Sequence, residues 1–467
     1  MPGGLTLLAM TAKASTGVDP AWPAEPRARA LALELFDRVA PRPLISVHNG
    51  LPARYLAEDL PITDPISLLI SHDQGIQALL RSSGIRTEFT VTDGWRTDQA
   101  SRRAFALLWT HLVGVWAKPW MQSEGDETAR LAGLPPFRGD QDPEAVYDAL
   151  AVQLVDHPMY PRRVLAEANI GRFATSDDPS DDLRAHEVLG DDRDLSGRVV
   201  PTLSPDRYLD PARRGWRTDA DLLAEVTGIG TDDLDGFLQA LQERRTYFLS
   251  HGSISSEHHA SDVCITRLSP REATQLYRLA RSADLLPAEA LALEGHLLWE
   301  TGRMAADDGL VMGLFPPAGI TTRAATGATS GDRGVADRVR ALVTDFGASP
   351  GFRLQLFTID TDAYAAEILP LAAEYPALAA VPPTRFADDP ADLRASRVAA
   401  IAAQGVARSL GVVDDMSGPF VLSARHRLGR RLDAGALAEL VVADRLTEDR
   451  AHTELANAVA QTGWVRT

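Results

Sequence analysis

Short apolar runs, each ending in polar or small residues, recur along this chain between stretches with helical spacing of hydrophobic positions. Eight such runs are expected as strands, over residues 44–48, 172–176, 198–202, 253–258, 310–314, 353–358, 378–381 and 411–415. The fourth is the weakest of them. Helical patterns fall between them, over 219–226, 234–245, 270–280, 335–346 and 396–410. Strand and helix alternating through eight repeats predict an α/β chain whose parallel sheet closes into a (β/α)₈ TIM-like barrel. The stretch from about 52 to 170 is too long for one crossover and is expected as a mostly helical insertion after the first strand, with 102–116 its clearest helix. Residues 1–23 are expected as a flexible leader and 24–467 as the barrel with its insertion. The loops 187–197, 324–334 and 382–392, rich in Gly, Asp, Thr or Pro, are expected to be the most mobile.

Composition narrows the function classes. With 467 residues, 45% of them hydrophobic, the chain can bury a substantial core. A net charge of −17 argues against nucleic acid, whose phosphates call for a basic face. The single Cys264 excludes an intramolecular disulfide and suits a reducing compartment. No apolar run approaches the roughly 20 residues that span a bilayer. A cytoplasmic protein acting on a small molecule is expected, with no membrane or nucleic-acid partner and with a homo-oligomer left open. Neither a Gly-rich phosphate cradle, nor His-Glu-x-x-His, nor Gly-x-Ser-x-Gly is present.

An ordered set of motifs carries a resemblance. It runs through His48-Asn49-Gly50-Leu51, Trp109-Thr110-His111-Leu112, Thr175-Ser176-Asp177-Asp178-Pro179-Ser180-Asp181-Asp182 and Val199-Val200-Pro201-Thr202. Arg244-Arg245-Thr246-Tyr247-Phe248, Ser255-Ser256-Glu257-His258 and Asp308-Gly309-Leu310-Val311-Met312 follow. Asp414-Asp415, Ala424-Arg425-His426 and Arg430-Arg431-Leu432-Asp433-Ala434-Gly435 complete it. From about Ala24 onward the chain resembles the uronate (glucuronate) isomerases, a branch of the amidohydrolase superfamily. The resemblance implies a distorted (β/α)₈ barrel, a divalent metal and conversion of D-glucuronate or D-galacturonate into the ketose acid.

The departures are as informative as the matches. Where the resemblance implies His-x-His on the first strand, the chain has His48-x-Gly50; Asp-His-Tyr becomes Asp73-Gln74-Gly75, and an Arg becomes Ala78. Ser204 and Ser417 replace two arginines, Thr384-Arg385 replaces a Trp pair, and Leu-His-x-Gly becomes Leu314-Phe315-Pro316-Pro317. Several metal-side and substrate-side groups are thus exchanged together, which reads as a rebuilt site. Phe315 in place of an imidazole points to a drier pocket and a substrate with an aromatic or apolar portion.

Uronate isomerisation moves a proton between adjacent carbons, so it needs a base, an acid and stabilisation of the enediolate. His48 on the first strand and Asp415 on the eighth would converge at the mouth of a closed barrel. They are the expected ligands of one divalent metal, zinc or manganese, with Glu257, His258 or water completing the set, since catalytic zinc usually takes three protein ligands. A metal-free hydrogen-bonded pair is the competing reading. His48, Asp415, Asp177 and Glu257 are the candidate catalytic residues, and Arg425, His258, Phe315, Arg385 and Gln74 the candidates for substrate binding. Asp177-Asp178-x-x-Asp181 formally matches a magnesium-diphosphate motif, but after a strand it is expected to cap a helix. His258-His259 is expected in a polar loop, His111 on an apolar helix face, Arg425 at the start of a helix and Cys264 as buried filler. A diverged isomerase or lyase working by acid–base proton transfer is the leading expectation. An authentic metal-dependent glucuronate or galacturonate isomerase and a non-catalytic binding relative are the alternatives.

Overall fold

The computed structural model describes residues 21–47, 51–66, 98–113, 119–260, 263–315, 334–358, 361–382, 390–411 and 419–461. Among the described residues seven parallel strands appear in chain order: β1 (Leu44–Ser46), β2 (Ile170–Ala174), β3 (Val199–Val200), β4 (Ser255–His258), β5 (Val311–Leu314), β6 (Leu354–Leu356) and β7 (Leu378–Ala380). They pair in sequence order as two ladders, β1-β2-β3 and β4-β5-β6-β7. The bridges Asp177–Leu203 and Leu203–Ser256 carry the ladder from β2 across the end of β3 to β4. The expected eighth strand lies beyond Gly411, outside the described residues, as does the expected leader through residue 20.

The strands curl around an axis. In a flat sheet β1 and β5 would stand roughly 19 Å apart, four strand spacings of about 4.8 Å. Instead Val47, just past β1, packs with Val311 of β5, joined by Ile45 and Ile254. Contact across four strands requires the sheet to wrap, as in a (β/α)₈ barrel. Parity follows from that contact. Leu44, Ile170, Phe173 and Val199 pack outward on helices. Met312, Leu314, Leu354, Leu356, Leu378 and Ala380 do the same on the other side of the barrel, against Leu297, Leu342 and Val343.

Between β1 and β2 the described elements are helices: Ala53–Glu58, Asp98–Leu112, Pro119–Leu131, Pro143–Asp156 and Pro161–Glu167. They build their own apolar cluster around Phe105, Trp109, Phe137 and Tyr147. The expected helix over 396–410 is two helices, Pro390–Gln404 and Val406–Ser409, parted at Gly405 with φ 82°. The loop expected over 187–197 is partly helical, because Arg184–Asp191 buries His186 and Leu189. Cys264 is half-buried rather than core filler.

Two buried ion pairs aim strands. Arg245, on the helix Leu234–Ser250, donates from Nε and Nη2 to Asp308 at 2.6 and 3.0 Å. The same carboxylate accepts from the Leu310 amide at 3.0 Å and so directs the chain into β5. Near the C-terminus, Asp433 accepts from Arg397 Nε at 2.6 Å and from the Gly411 amide at 3.0 Å. Arg430, on the same long helix Pro419–Val442, donates to the carbonyls of Val39, Arg42 and Pro43 at 2.8–2.9 Å, fixing the approach to β1. Burial lowers its pKa to about 10.

Candidate active site at the carboxyl ends of the strands

Parallel register sorts the side chains of β4 to β7 into layers. Glu257, Gly313, Gln355 and Ala379 are register partners and face the axis together. In that layer the glycine adds no side chain and Ala379 adds little beside one acidic and one amide group. Toward the strand ends the ladder continues through Phe315 N–H to His258 O, Phe357 N–H to Leu314 O and Val381 N–H to Leu356 O. The next axial layer is therefore His259, Phe315, Phe357 and Val381. Phe315, Phe357 and Val381 form an apolar cluster, with the two phenyl rings stacked at 4.0 Å. His259 stacks on Phe315 at 5.3 Å.

Glu257 is fully buried at the end of β4. Ser-Ser-Glu-His disguises this strand in the sequence because its polar side chains are all taken inside the fold, yet all four residues are buried. His258 points the other way, to the helix side. Its Nε2 lies 3.1 Å from Ser256 Oγ, its Nδ1 is buried with no hydrogen-bond partner among the described residues, and burial lowers its pKa to about 4, keeping the ring neutral. Of the paired histidines, the axial one is His259.

Asp177 sits beyond the end of β2 on the helix-facing side, with the parity of Phe173 and Thr175. It accepts from Thr175 Oγ1 at 2.6 Å and from the Thr202 amide at 3.3 Å. His186 Nε2 lies 2.8 Å from Thr175 Oγ1 and 3.6 Å from Asp177. Burial raises the Asp177 carboxyl to about 7, with the charges of Asp181 and Glu257 adding to the shift, while burial lowers His186 to about 4. The expected helix cap is not formed, because the helix begins only at Arg184, after Leu183 in the left-handed region. The other acids of the motif are spent locally. Asp178 accepts from Ser180 N–H, pairs with Arg207 Nε at 2.7 Å and accepts from Tyr208 Oη at 2.9 Å. Asp181 and Asp182 accept from the amides of Leu183 and Arg184. Arg244 donates to the carbonyls of Pro179 and Asp181, clamping the turn from outside.

Of the remaining candidates, Arg425 is buried within the helix Pro419–Val442, well past its first turn rather than at its start. Phe315 takes its place in the apolar layer. His48, Gln74, Arg385 and Asp415 lie outside the described residues, and no side-chain contact of His111 is described. Asp206 was not singled out from the sequence. Its Oδ2 accepts from the backbone amide and from Nδ1 of His259, at 3.0 and 2.9 Å. Only a contact between the first residue of the short helix Asp206–Leu209 and the segment after β4, 53 residues on, reveals the pair.

The described donors do not make a metal centre at the mouth. Among the described residues the axial layers offer Glu257 and His259, fewer than the three protein ligands that a catalytic ion ordinarily takes. Among the described residues, His, Asp or Glu ligand atoms gather within 4.8 Å of one another at Glu34, Glu448 and His452, on outer helices. No described helix is long and apolar enough to cross a membrane.

Comparison with known proteins agrees with this geometry. A glucuronate isomerase family model matches residues 27–323. The uronate isomerase of Cutibacterium acnes is 33% identical over 442 residues, covering 92% of this chain and 93% of that protein. The uronate isomerase of Rhizobium meliloti is 33% identical over 454 residues, covering 94% and 96%. Among solved structures, glucuronate isomerase from Caulobacter crescentus superposes with a TM-score of 0.81 at 25% identity, over 94% of this chain and 93% of that one. A putative metal-dependent hydrolase from Lactobacillus casei shares the fold at a TM-score of 0.50 and 12% identity, over 90% and 94%. Identity spread over nearly the full length leaves no doubt of kinship: the chain belongs to the uronate isomerase family.

Proposed function

We propose that this protein is an authentic uronate isomerase, interconverting an open-chain hexuronate and its ketose acid. The observation that carries this reading is the match to uronate isomerases over more than nine-tenths of both chains. It favours the authentic isomerase over a rebuilt enzyme of changed reaction, despite the exchanged residues noted in the sequence.

The isomerisation removes the proton on the carbon next to the aldehyde and returns one to the former carbonyl carbon, through an enediol. A carboxylate that alternates as base and acid serves both steps. Glu257 suits that part: it is a carboxyl group that is buried, faces the axis and has Gly313 beside it. The apolar layer of Phe315, Phe357 and Val381 lies immediately outward and keeps bulk water from the enediol. Phe315 thus has a part to play with an all-polar substrate, and an aromatic substrate portion is not needed to explain it. A divalent metal, if held, would polarise the carbonyl; His48 and Asp415 are the residues proposed to hold one, and no step above depends on it.

Turnover is the test. Purified protein given D-glucuronate or D-galacturonate is expected to form the ketose acid, with D-glucose inert. Absence of ketose from both uronates, with and without added zinc or manganese, would overturn the reading.

A further inference from the structure

We propose that Glu34, Glu448 and His452 form a zinc site, remote from the barrel mouth, that ties the last described helix to the first. The inference stands apart from the isomerase reading. Glu448 and His452 lie four residues apart on the helix Glu448–Gln461, so they share one face, a single turn apart. Glu34 reaches them from the helix Pro26–Val39. Leu31 and Leu35 of one helix and Ala451 and Leu455 of the other belong to one apolar cluster, so the three donors stand over a packed seam. One ligand atom from each residue lies within 4.8 Å of the other two.

The imidazole is what separates this group from an ordinary acidic patch. His452 is only 16% exposed, and its Nε2 is buried with no hydrogen-bond partner among the described residues, 3.5 Å from Glu34 Oε1. Two donors bound to one tetrahedral zinc at about 2.0–2.1 Å stand about 3.4 Å apart, so this pair already has the spacing of two ligands of one ion. Glu448 is exposed, and its side chain has the freedom to close the third side. Water completes the set. An imidazole among the donors selects zinc over magnesium or calcium, which take oxygen ligands. The competitor is Arg38, whose Nη2 lies 2.6 Å from the same Glu34 oxygen. Both partners of that pair are exposed, and such pairs are weak, so a divalent ion displaces the guanidinium. Bound there, zinc holds the last described helix against the helix that runs into β1, and it stabilises the folded chain alone.

Zinc titration supplies the test. Full-length protein, gel-filtered so that only tightly held metal remains, is titrated with zinc by calorimetry, beside His452→Ala, Glu34→Gln and Arg38→Ala. Wild type is expected to bind one zinc more than His452→Ala or Glu34→Gln, with a dissociation constant in the micromolar range, and magnesium should not fill the place. Arg38→Ala removes the competitor and should bind that zinc roughly two- to five-fold more tightly, which a plain His452–Glu34 ion pair does not explain. Zinc at a hundred-fold excess over the dissociation constant should raise the melting temperature of wild type by about 3 °C more than that of His452→Ala. Glu34 is half exposed, so Glu34→Gln gives the same reading should His452→Ala fold poorly. Equal zinc stoichiometry in wild type and Glu34→Gln would overturn the proposal, as would an extra equivalent that appears only at millimolar zinc.

Discussion

Replacing Asp177 with Asn isolates the electrostatics at the end of β2. Burial raises this carboxyl from an ordinary 3.8 to about 7, so between those values the folded chain keeps a proton that the unfolded chain releases. At 1.36 kcal/mol per pKa unit, a shift of about 3 units amounts to about 4 kcal/mol at most. The sign follows from proton counting: the folded state binds more protons, so the carboxyl's contribution is intact below about pH 4 and is lost as pH rises toward about 7. His186 works the other way. Its pKa falls to about 4, so the fold gains stability as pH rises from there toward about 6.5. Because His186 is present in both proteins, its effect cancels in their difference. The amide of the Asp177→Asn variant retains an oxygen to accept from Thr175 Oγ1 and Thr202 N–H, while carrying no charge to desolvate. Urea unfolding of both proteins is therefore expected to show the variant gaining about 3 kcal/mol on wild type between about pH 5 and about pH 8. A difference independent of pH would refute the reasoning, because it would mean that the carboxylate is ionised in the fold throughout. A variant that loses ground with rising pH would reverse the assigned shift.

Other perturbations reach the frame and the site. Arg245→Ala strands the Asp308 carboxylate inside the fold and is expected to cost about 3–5 kcal/mol in urea unfolding, whereas Arg245→Met with Asp308→Leu should recover much of it. A cost below about 1 kcal/mol would show the pair to be unimportant to β5. Glu257→Gln removes the proposed proton carrier with little change of shape; kcat on D-glucuronate is expected to fall by about 10²–10⁴ while the melting temperature stays near wild type. Retained turnover would assign the proton transfer elsewhere. Elemental analysis of the purified protein is expected to find near-stoichiometric zinc or manganese, lost from His48→Ala and from Asp415→Ala; metal-free wild type with full turnover would contradict those ligands.

The strand pattern was legible because apolar runs mark layers that face helices. β1, β3, β5, β6 and β7 fall within their expected runs, and β2 begins two residues early because Ile170 also belongs to the helix-facing layer. β4 was the hardest to read, since burial of Ser255, Ser256, Glu257 and His258 depends on neighbours on both sides that no local pattern encodes. For the same reason the two histidines could not be told apart. Strand parity decides that His258 faces helices and His259 the axis, and parity needs partners. The resemblance rested partly on Arg244, Arg245, Asp308, Arg430 and Asp433, which the structure shows to be clamps on strand entries and on the acidic turn. Buried, multiply bonded groups of this kind tolerate little change. Position 315 lacks the imidazole that the resemblance implied, yet an imidazole from the end of β4 lies against that phenyl ring. Sequence order alone hides such a contact.

Proton exchange at carbon tests the central claim most directly. D-glucuronate incubated with the protein in D₂O and followed by proton NMR should lose the signal of the hydrogen on carbon 2 as the ketose acid appears. Glu257→Gln should do neither. Ketose formation by wild type with the hydrogen on carbon 2 transferred intact would contradict proton transfer through an enediol, and wild-type protein that leaves the sugar unchanged would contradict the isomerase itself.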